Sequence, residues 1–62
     1  MYSTITTKLE NHIMTITFNR PESLNSFNLP MMQDLVAAYR SANQDDDVRV
    51  IIVTGAGRAF CA

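Results

Sequence analysis

The chain contains one cysteine, two glycines, two prolines, one histidine and no excess of charge of either sign. Cys61 has no partner, so an internal disulfide is excluded, and with it a disulfide-stapled miniprotein; a reducing, cytoplasmic setting is expected. Five Lys and Arg against six Asp and Glu are scattered and leave a formal net charge of −1. Without a basic stripe there is no nucleic-acid footprint. No apolar run approaches the roughly 18 residues of a membrane span. The N-terminal stretch MYSTITTKLENH has no charged region followed by an apolar one, so neither a membrane partner nor a signal peptide is expected. Repeats and low-complexity segments are missing. The only charge run, Asp45-Asp46-Asp47, reads as a solvated loop. His12 has no second His or Cys at ligand spacing and reads as a solvent-facing turn residue, not a metal ligand.

What is present is an ordinary globular composition, 47% apolar over 62 residues, too rich in Val, Ile, Leu, Met and Phe for a disordered chain. A chain of this length buries only about 60% of the surface its unfolded form exposes, so one small domain is the ceiling. Ile5, Thr7 and Leu9 alternate with Thr4, Thr6 and Lys8, and Met14, Ile16 and Phe18 alternate with Thr15 and Thr17. Period two in Ile, Thr and Phe predicts two strands, and Glu10-Asn11-His12 between them predicts a tight hairpin, because Asn tolerates positive φ. Arg20-Pro21 ends the second strand, since proline lacks the N–H of a central strand. A loop follows. Asn28 is an N-cap and Pro30 lies in the first turn of a helix, where its missing N–H costs nothing. From Leu29 the apolar positions Met32, Leu35, Val36, Tyr39 and Ala42 predict one buried stripe, with Gln33, Asp34, Arg40 and Asn43 mostly opposite. The paired methionines read as core filler. The helix is expected to end near Asn43–Asp45, and VRVIIVT forms a third strand whose unbroken apolar run predicts burial on both faces, as in a parallel sheet.

The predicted order is β-β-α-β, an α/β class, with a right-handed crossover joining parallel strands two and three. One helix covers one face of the sheet, and the other face of strand three is apolar with nothing to cover it. The chain is therefore expected to be part of a larger domain or to need a partner; a complete small domain is the alternative.

Strand three runs into Gly55-Ala56-Gly57. A dinucleotide fingerprint needs a third glycine three residues after the second, to let a helix pack on the strand. Phe60 occupies that position. A phosphate-binding P-loop fails as well, because no Gly-Lys-Ser/Thr follows. The remaining readings are a plain flexible turn, or a turn at the carboxyl edge of a parallel sheet, where α/β proteins bind ligands. In the second case Ala59, Phe60 and Ala62 would line a dry pocket in which backbone N–H groups can stabilise an oxyanion.

Taken together, ITFNRPESLNSFN, a helix, and DDDVRVIIVTGAGRAFCA resemble the N-terminus of the enoyl-CoA hydratase/isomerase (crotonase) superfamily. The family pattern is a strand ending in N-R-P, then x-x-L-N-A, a helix, D-x-x-V-R, an apolar strand and T-G-x-G-x-A-F-x-A-G-x-D. Asn19, Arg20, Pro21, Leu24, Asn25, Asp45 or Asp46, Val48, Arg49, Thr54, Gly55, Gly57, Ala59, Phe60 and Ala62 fall on it in order. Ser26 stands where Ala is usual and His12 where Gly is frequent. The resemblance implies that residues 1–62 are the N-terminal, incomplete part of a single crotonase-like (ββα superhelix) domain.

The resemblance also implies an acyl-CoA-processing enzyme of hydratase or isomerase type that stabilises an enolate in a hole of two backbone N–H groups. It leans toward the branch of phenylacetate-pathway ring-epoxide isomerases. The first hole donor is implied two residues after Ala62, and the acid/base carboxylates farther on, so no catalytic residue falls within the chain. A coenzyme A thioester is implied as substrate, with no permanently bound cofactor, and the full-length protein as a homotrimer or hexamer. Coenzyme A contacts are implied at Glu22, Ser23 and Leu24, largely through backbone, and at Ala62, whose backbone accepts a hydrogen bond from the pantetheine arm. The plainer readings are solvated loop for Glu22 and Ser23 and core packing for Leu24. Arg20 and Arg58 are expected in surface ion pairs rather than on phosphate, and Cys61 in a pocket wall rather than as a nucleophile. A function of another class, a non-catalytic CoA-binding or assembly fragment, stands beside the enzyme reading.

Overall fold

The structure is a computed structural model and describes residues 2–57 and Phe60. Strands β1 (Ile5–Glu10) and β2 (Ile13–Phe18) pair antiparallel, a single 3₁₀ turn spans Pro21–Ser23, helix α1 covers Leu29–Asn43, and β3 (Val50–Gly55) pairs parallel with β2. The sheet order is β1-β2-β3, so β2 is central and α1 is the crossover.

The hairpin forms where Asn11 and His12 take φ of 53° and 66°. Two consecutive left-handed residues define the two-residue turn whose twist matches a hairpin, and Asn and His are among the side chains that tolerate it best. This turn also packs on the start of β3: the His12 carbonyl accepts from the N–H groups of Arg49 (2.8 Å) and Val50 (3.2 Å). The exposed His12 ring lies with Nδ1 3.0 Å from the Asp47 carbonyl. A carbonyl only accepts, so Nδ1 carries the hydrogen. Asp45 closes the acidic turn by accepting the Asp47 N–H on Oδ1 at 2.9 Å, an Asx turn in an exposed loop.

Helix α1 starts as its sequence predicts. The Asn28 side chain accepts from the Met31 N–H at 3.0 Å, and Pro30 sits in the first turn. The buried stripe keeps Leu35 and Ala42 of the one predicted and differs at its other positions. Met31, Ala38 and Ala42 are buried and Leu35 is half-buried, whereas Met32, Val36 and Tyr39 are 44%, 45% and 41% exposed. The helix carries two apolar ridges one residue apart, about 100° around its axis. The predicted stripe mixes the two, with Leu35 and Ala42 from one and Met32, Val36 and Tyr39 from the other. The sheet takes the one with two alanines, which lack bulk and let the helix approach closely. Asp34 is likewise not a solvent-side residue: its Oδ2 accepts from the Thr4 hydroxyl (2.7 Å), the Thr4 N–H (2.9 Å) and the Ser3 N–H (3.1 Å). The Thr4 hydroxyl first, then the Thr4 N–H, hold this carboxyl below its ordinary value of 3.8 against an opposing desolvation, with the Ser3 N–H adding to the lowering.

The core lies between α1 and one sheet face. Ile5, Ile16, Phe18, Met31 and Ala38 are buried, with Tyr2, Met14, Leu35, Ile51 and Val53 packed around them. Fully burying Ile16 contributes about 1.5–3 kcal/mol. The strand registers place Thr6-Thr17-Thr54, Lys8-Thr15-Ile52 and Glu10-Ile13-Val50 in rows on the other face. That face is polar on β1 and turns apolar on β3. Within these residues β3 is covered on one side only: Ile51 and Val53 are half-buried against the core, while Val50 and Ile52 are exposed, the uncovered apolar face that the sequence predicts.

Candidate functional site

The carboxyl ends of β2 and β3 lie side by side, with Phe18 paired to Gly55 and the Ala56 N–H donating to the Phe18 carbonyl at 2.8 Å. Two segments leave this edge, the loop from Asn19 to Asn28 and the turn Gly55-Ala56-Gly57. Their sequences differ in kind, yet the structure joins them into one unit.

The loop is folded on its own backbone. Pro21 opens the 3₁₀ turn. The Arg20 carbonyl accepts from the N–H groups of Ser23 (3.0 Å) and Asn25 (2.8 Å), the Pro21 carbonyl from Leu24 (3.1 Å) and the Ser23 carbonyl from Ser26 (3.0 Å). Leu24 and Asn25 have φ of 53° and 56°. Two non-glycine residues in the left-handed region cost about 1–3 kcal/mol each, and the buried polar contacts that follow are what hold them there. Arg20 is half-buried, and its guanidinium donates to the Ser26 carbonyl and lies 3.4 Å from the hydroxyls of Ser26 and Ser23. Among the described residues the surface ion pair expected of Arg20 is not formed. The guanidinium binds neutral oxygens of its own loop, and the ion pair found among the described residues, Lys8 with Glu10 at 3.9 Å, is fully on the surface.

Asn25 links the two segments. It is 0% exposed. Its Oδ1 accepts from the Arg20 N–H at 2.7 Å, and its Nδ2 donates to the Ala56 carbonyl at 2.8 Å, across 31 residues of sequence. The amide orientation is set by these partners, since the flipped group would face donor to donor and acceptor to acceptor. Gly57 completes the contact. Its φ is +79°, and a Cβ there would lie 3.0 Å from the Cβ of Pro21. Both the backbone angle and the close approach demand glycine.

Above this unit is an aromatic patch. The buried Phe18 ring meets Phe27 edge-on at 6.3 Å and 76°, and Phe60 at 5.3 Å and 42°. Phe27 and Phe60 are themselves exposed, so Phe60 forms part of an open apolar rim here rather than the wall of an enclosed pocket. The Phe60 ring leans on Phe18 at the strand end, at the position where a dinucleotide-binding turn has its third glycine.

The predicted site residues fall as follows. Glu22 is exposed and Ser23 and Leu24 are half-buried; Glu22 and Ser23 lie on the 3₁₀ turn and Leu24 caps its end, next to the Asn25 that binds Ala56. Ala62, Arg58, Ala59 and Cys61 lie outside the described residues. Asn25, which sequence reasoning treated only as part of a pattern, is the residue that brings loop and turn together. The available signal was its type: asparagine tolerates the left-handed region and carries both a donor and an acceptor. Elsewhere, an open groove of about 440 Å³ lies at the opposite end of β3, lined by residues including Arg40, Arg49 and Tyr39. Among the described residues no three His, Cys, Asp or Glu side chains cluster as metal ligands, and no helix is long and apolar enough to cross a membrane.

The profile of the enoyl-CoA hydratase/isomerase family matches residues 8–62. The chain belongs to the enoyl-CoA hydratase/isomerase family. It is 45% identical over its whole length to 1,2-epoxyphenylacetyl-CoA isomerase of Escherichia coli, covering 24% of that protein. Over 81% of the chain it is 50% identical to a probable peroxisomal enoyl-CoA hydratase 1 of Arabidopsis thaliana, covering 19% of that protein. Among crystal structures, an enoyl-CoA hydratase/isomerase from Mycobacterium paratuberculosis superposes on the whole chain with a TM-score of 0.96 at 45% identity, over 24% of its own length. One from Xanthobacter autotrophicus does so with a TM-score of 0.97 at 37% identity, over 23% of its length.

The chain thus spans about a quarter of the length of these relatives. The β-β-α-β arrangement is that of the corresponding part of the crotonase fold. Within an enoyl-CoA hydratase/isomerase, the loop and turn clamped by Asn25 are two of the segments at the carboxyl edge of the parallel strands.

Proposed function

We propose that the chain forms the coenzyme A-facing part of an enzyme acting on acyl-CoA thioesters, of hydratase or isomerase type. The observation that carries this reading is the joining of residues 20–26 and 55–57 into one unit at the carboxyl edge of β2 and β3, where parallel sheets bind ligands. In this reading Glu22, Ser23 and Leu24 border the nucleotide and pantetheine, and the backbone of Ala62 receives a hydrogen bond from the pantetheine arm. The N–H groups of residues 23–26 are engaged within the loop, so its carbonyl oxygens and side chains are the groups that meet the ligand.

The thioester is substrate, not a resident cofactor. The reacting groups, two backbone N–H donors that stabilise an enolate oxyanion and the acid/base carboxylates, are supplied by residues following Ala62. The 62 residues by themselves bind without catalysing. Assembly as a homotrimer or hexamer and a cytoplasmic site of action belong to the same reading.

The finer assignment is isomerisation of a ring epoxide of phenylacetyl-CoA. It is supported by 45% identity to the Escherichia coli isomerase over the full chain; the similarity to the Arabidopsis protein supports simple enoyl-CoA hydration instead. Assaying the longest chain that carries these residues with crotonyl-CoA and with 1,2-epoxyphenylacetyl-CoA separates the two. Turnover of the epoxide with little hydration of crotonyl-CoA is expected, and the reverse overturns the finer assignment.

A further inference from the structure

We infer that Asn25 is a positioning residue for the acyl-CoA site, acting by clamping the peptide planes on either side of Ala56. The inference rests on the acyl-CoA reading above. The Ala56 N–H is held by the Phe18 carbonyl at 2.8 Å, and the Ala56 carbonyl by Asn25 Nδ2 at 2.8 Å. Two successive peptide planes are thereby fixed, one by the end of β2 and one by the loop. The next residue, Gly57, turns sharply at φ +79° with its Cα against the Pro21 ring. The direction in which the backbone leaves the sheet is set at this point.

Asn25 suits the task because it is wholly buried and is anchored at its other end, where Oδ1 accepts from the Arg20 N–H at 2.7 Å. A side chain fastened at both ends transmits the position of one segment to the other. The loop that borders the ligand and the turn that leads away from β3 therefore keep a fixed relative placement. A hydrogen bond from a buried amide in such a setting holds geometry more strictly than apolar contact does, because leaving either group unpaired carries a desolvation penalty.

The test is Asn25→Asp, in the longest chain that carries these residues. The substitution is isosteric and keeps the acceptor for the Arg20 N–H. It replaces the donor to Ala56 with a carboxylate oxygen facing a carbonyl. Displacing a site by about 1 Å lowers turnover by roughly 10²-fold, so kcat with crotonyl-CoA or 1,2-epoxyphenylacetyl-CoA is expected to fall by that order with KM little changed, the signature of an interaction needed in the transition state. Asn25→Gly, which accepts the left-handed backbone but has no amide, is expected to do the same.

Thr4→Ala serves as the comparison. It removes the hydroxyl tie to Asp34 but keeps the backbone and both Asn25 hydrogen bonds, and is expected to lower stability while leaving kcat unchanged at a temperature where the variant is folded. Amide hydrogen exchange at Ala56 and Gly57 is read in the same samples and is expected to quicken in both Asn25 variants but not in Thr4→Ala. Unchanged exchange at Ala56 and Gly57 in folded Asn25→Asp overturns the inference whether or not the protein turns over acyl-CoA, and so does an unchanged kcat. A wild-type protein inactive on both thioesters overturns the acyl-CoA reading instead, and the exchange data then decide the clamp alone.

Discussion

Gly57→Ala tests the geometry of the turn most sharply. The backbone at Gly57 has φ +79°, and an added Cβ would sit 3.0 Å from the Pro21 Cβ. The left-handed conformation costs an alanine about 1–2 kcal/mol, and forcing a methyl group into a close contact costs about 1–3 kcal/mol more. The sum is roughly 2–5 kcal/mol, a large share of the total stability of a small domain, which runs at about 0.05–0.15 kcal/mol per residue. The two contributions separate in a double-mutant cycle with Pro21→Gly, which removes the opposing Cβ. In that background Gly57→Ala should cost only the backbone share, about 1–2 kcal/mol. Urea unfolding of the four proteins, with the midpoints compared at constant slope, provides the measurement. A single-mutant cost below about 0.5 kcal/mol, the range of an ordinary surface change, would refute the reasoning. An additive cycle would refute the contact with Pro21 in particular.

The phase of α1 is tested by a pair of neighbours: Met31→Ala should cost about 2–5 kcal/mol and Met32→Ala within about 0.5 kcal/mol, both by urea unfolding, and equal losses would contradict the placement of the alanine ridge against the sheet. Asp34 is expected to shape the acid limb of stability. Its carboxyl is held below 3.8 by Thr4 and Ser3, so the folded form binds the proton less readily than the unfolded one. The stabilisation is then complete above the unfolded value and is lost as pH falls through the folded value, that is, below about pH 4. Asp34→Asn should be less stable at neutral pH and show a shallower fall through that acid range, and a parallel pair of curves would contradict the assignment.

Much of this fold is legible in the residues themselves. Alternation in 5–9 and 14–18, the turn at Asn11, the Asn28 cap and the β-branched run into Gly55 each have a local cause, and each element forms where that cause places it. The phase of α1 was not legible, because the helix offers two apolar ridges and only the sheet's position decides between them. Bulk misleads at that point: Val36 and Tyr39 look like core, yet Met31 and the small Ala38 are the buried positions. Arg20 and Asn25 show the same limit at the site. A guanidinium five residues before a buried amide has no sequence signature of its own, and the partner that gives Asn25 its role is a backbone carbonyl 31 residues away. Position in the chain revealed the loop and the turn separately; the hydrogen bond between them exists only in the folded chain.

In the proposed function the unit formed by residues 20–26 and 55–57 faces the coenzyme A portion of an acyl-CoA. Its most direct test is an amide chemical-shift titration of the longest chain carrying these residues with acetyl-CoA, and separately with NADH. Saturable shifts from acetyl-CoA are expected, concentrated at Glu22, Ser23, Leu24 and Gly57, and none there from NADH. Shifts confined to the Arg40 and Arg49 groove at the other end of β3, or saturable NADH binding at the glycine turn, would contradict it.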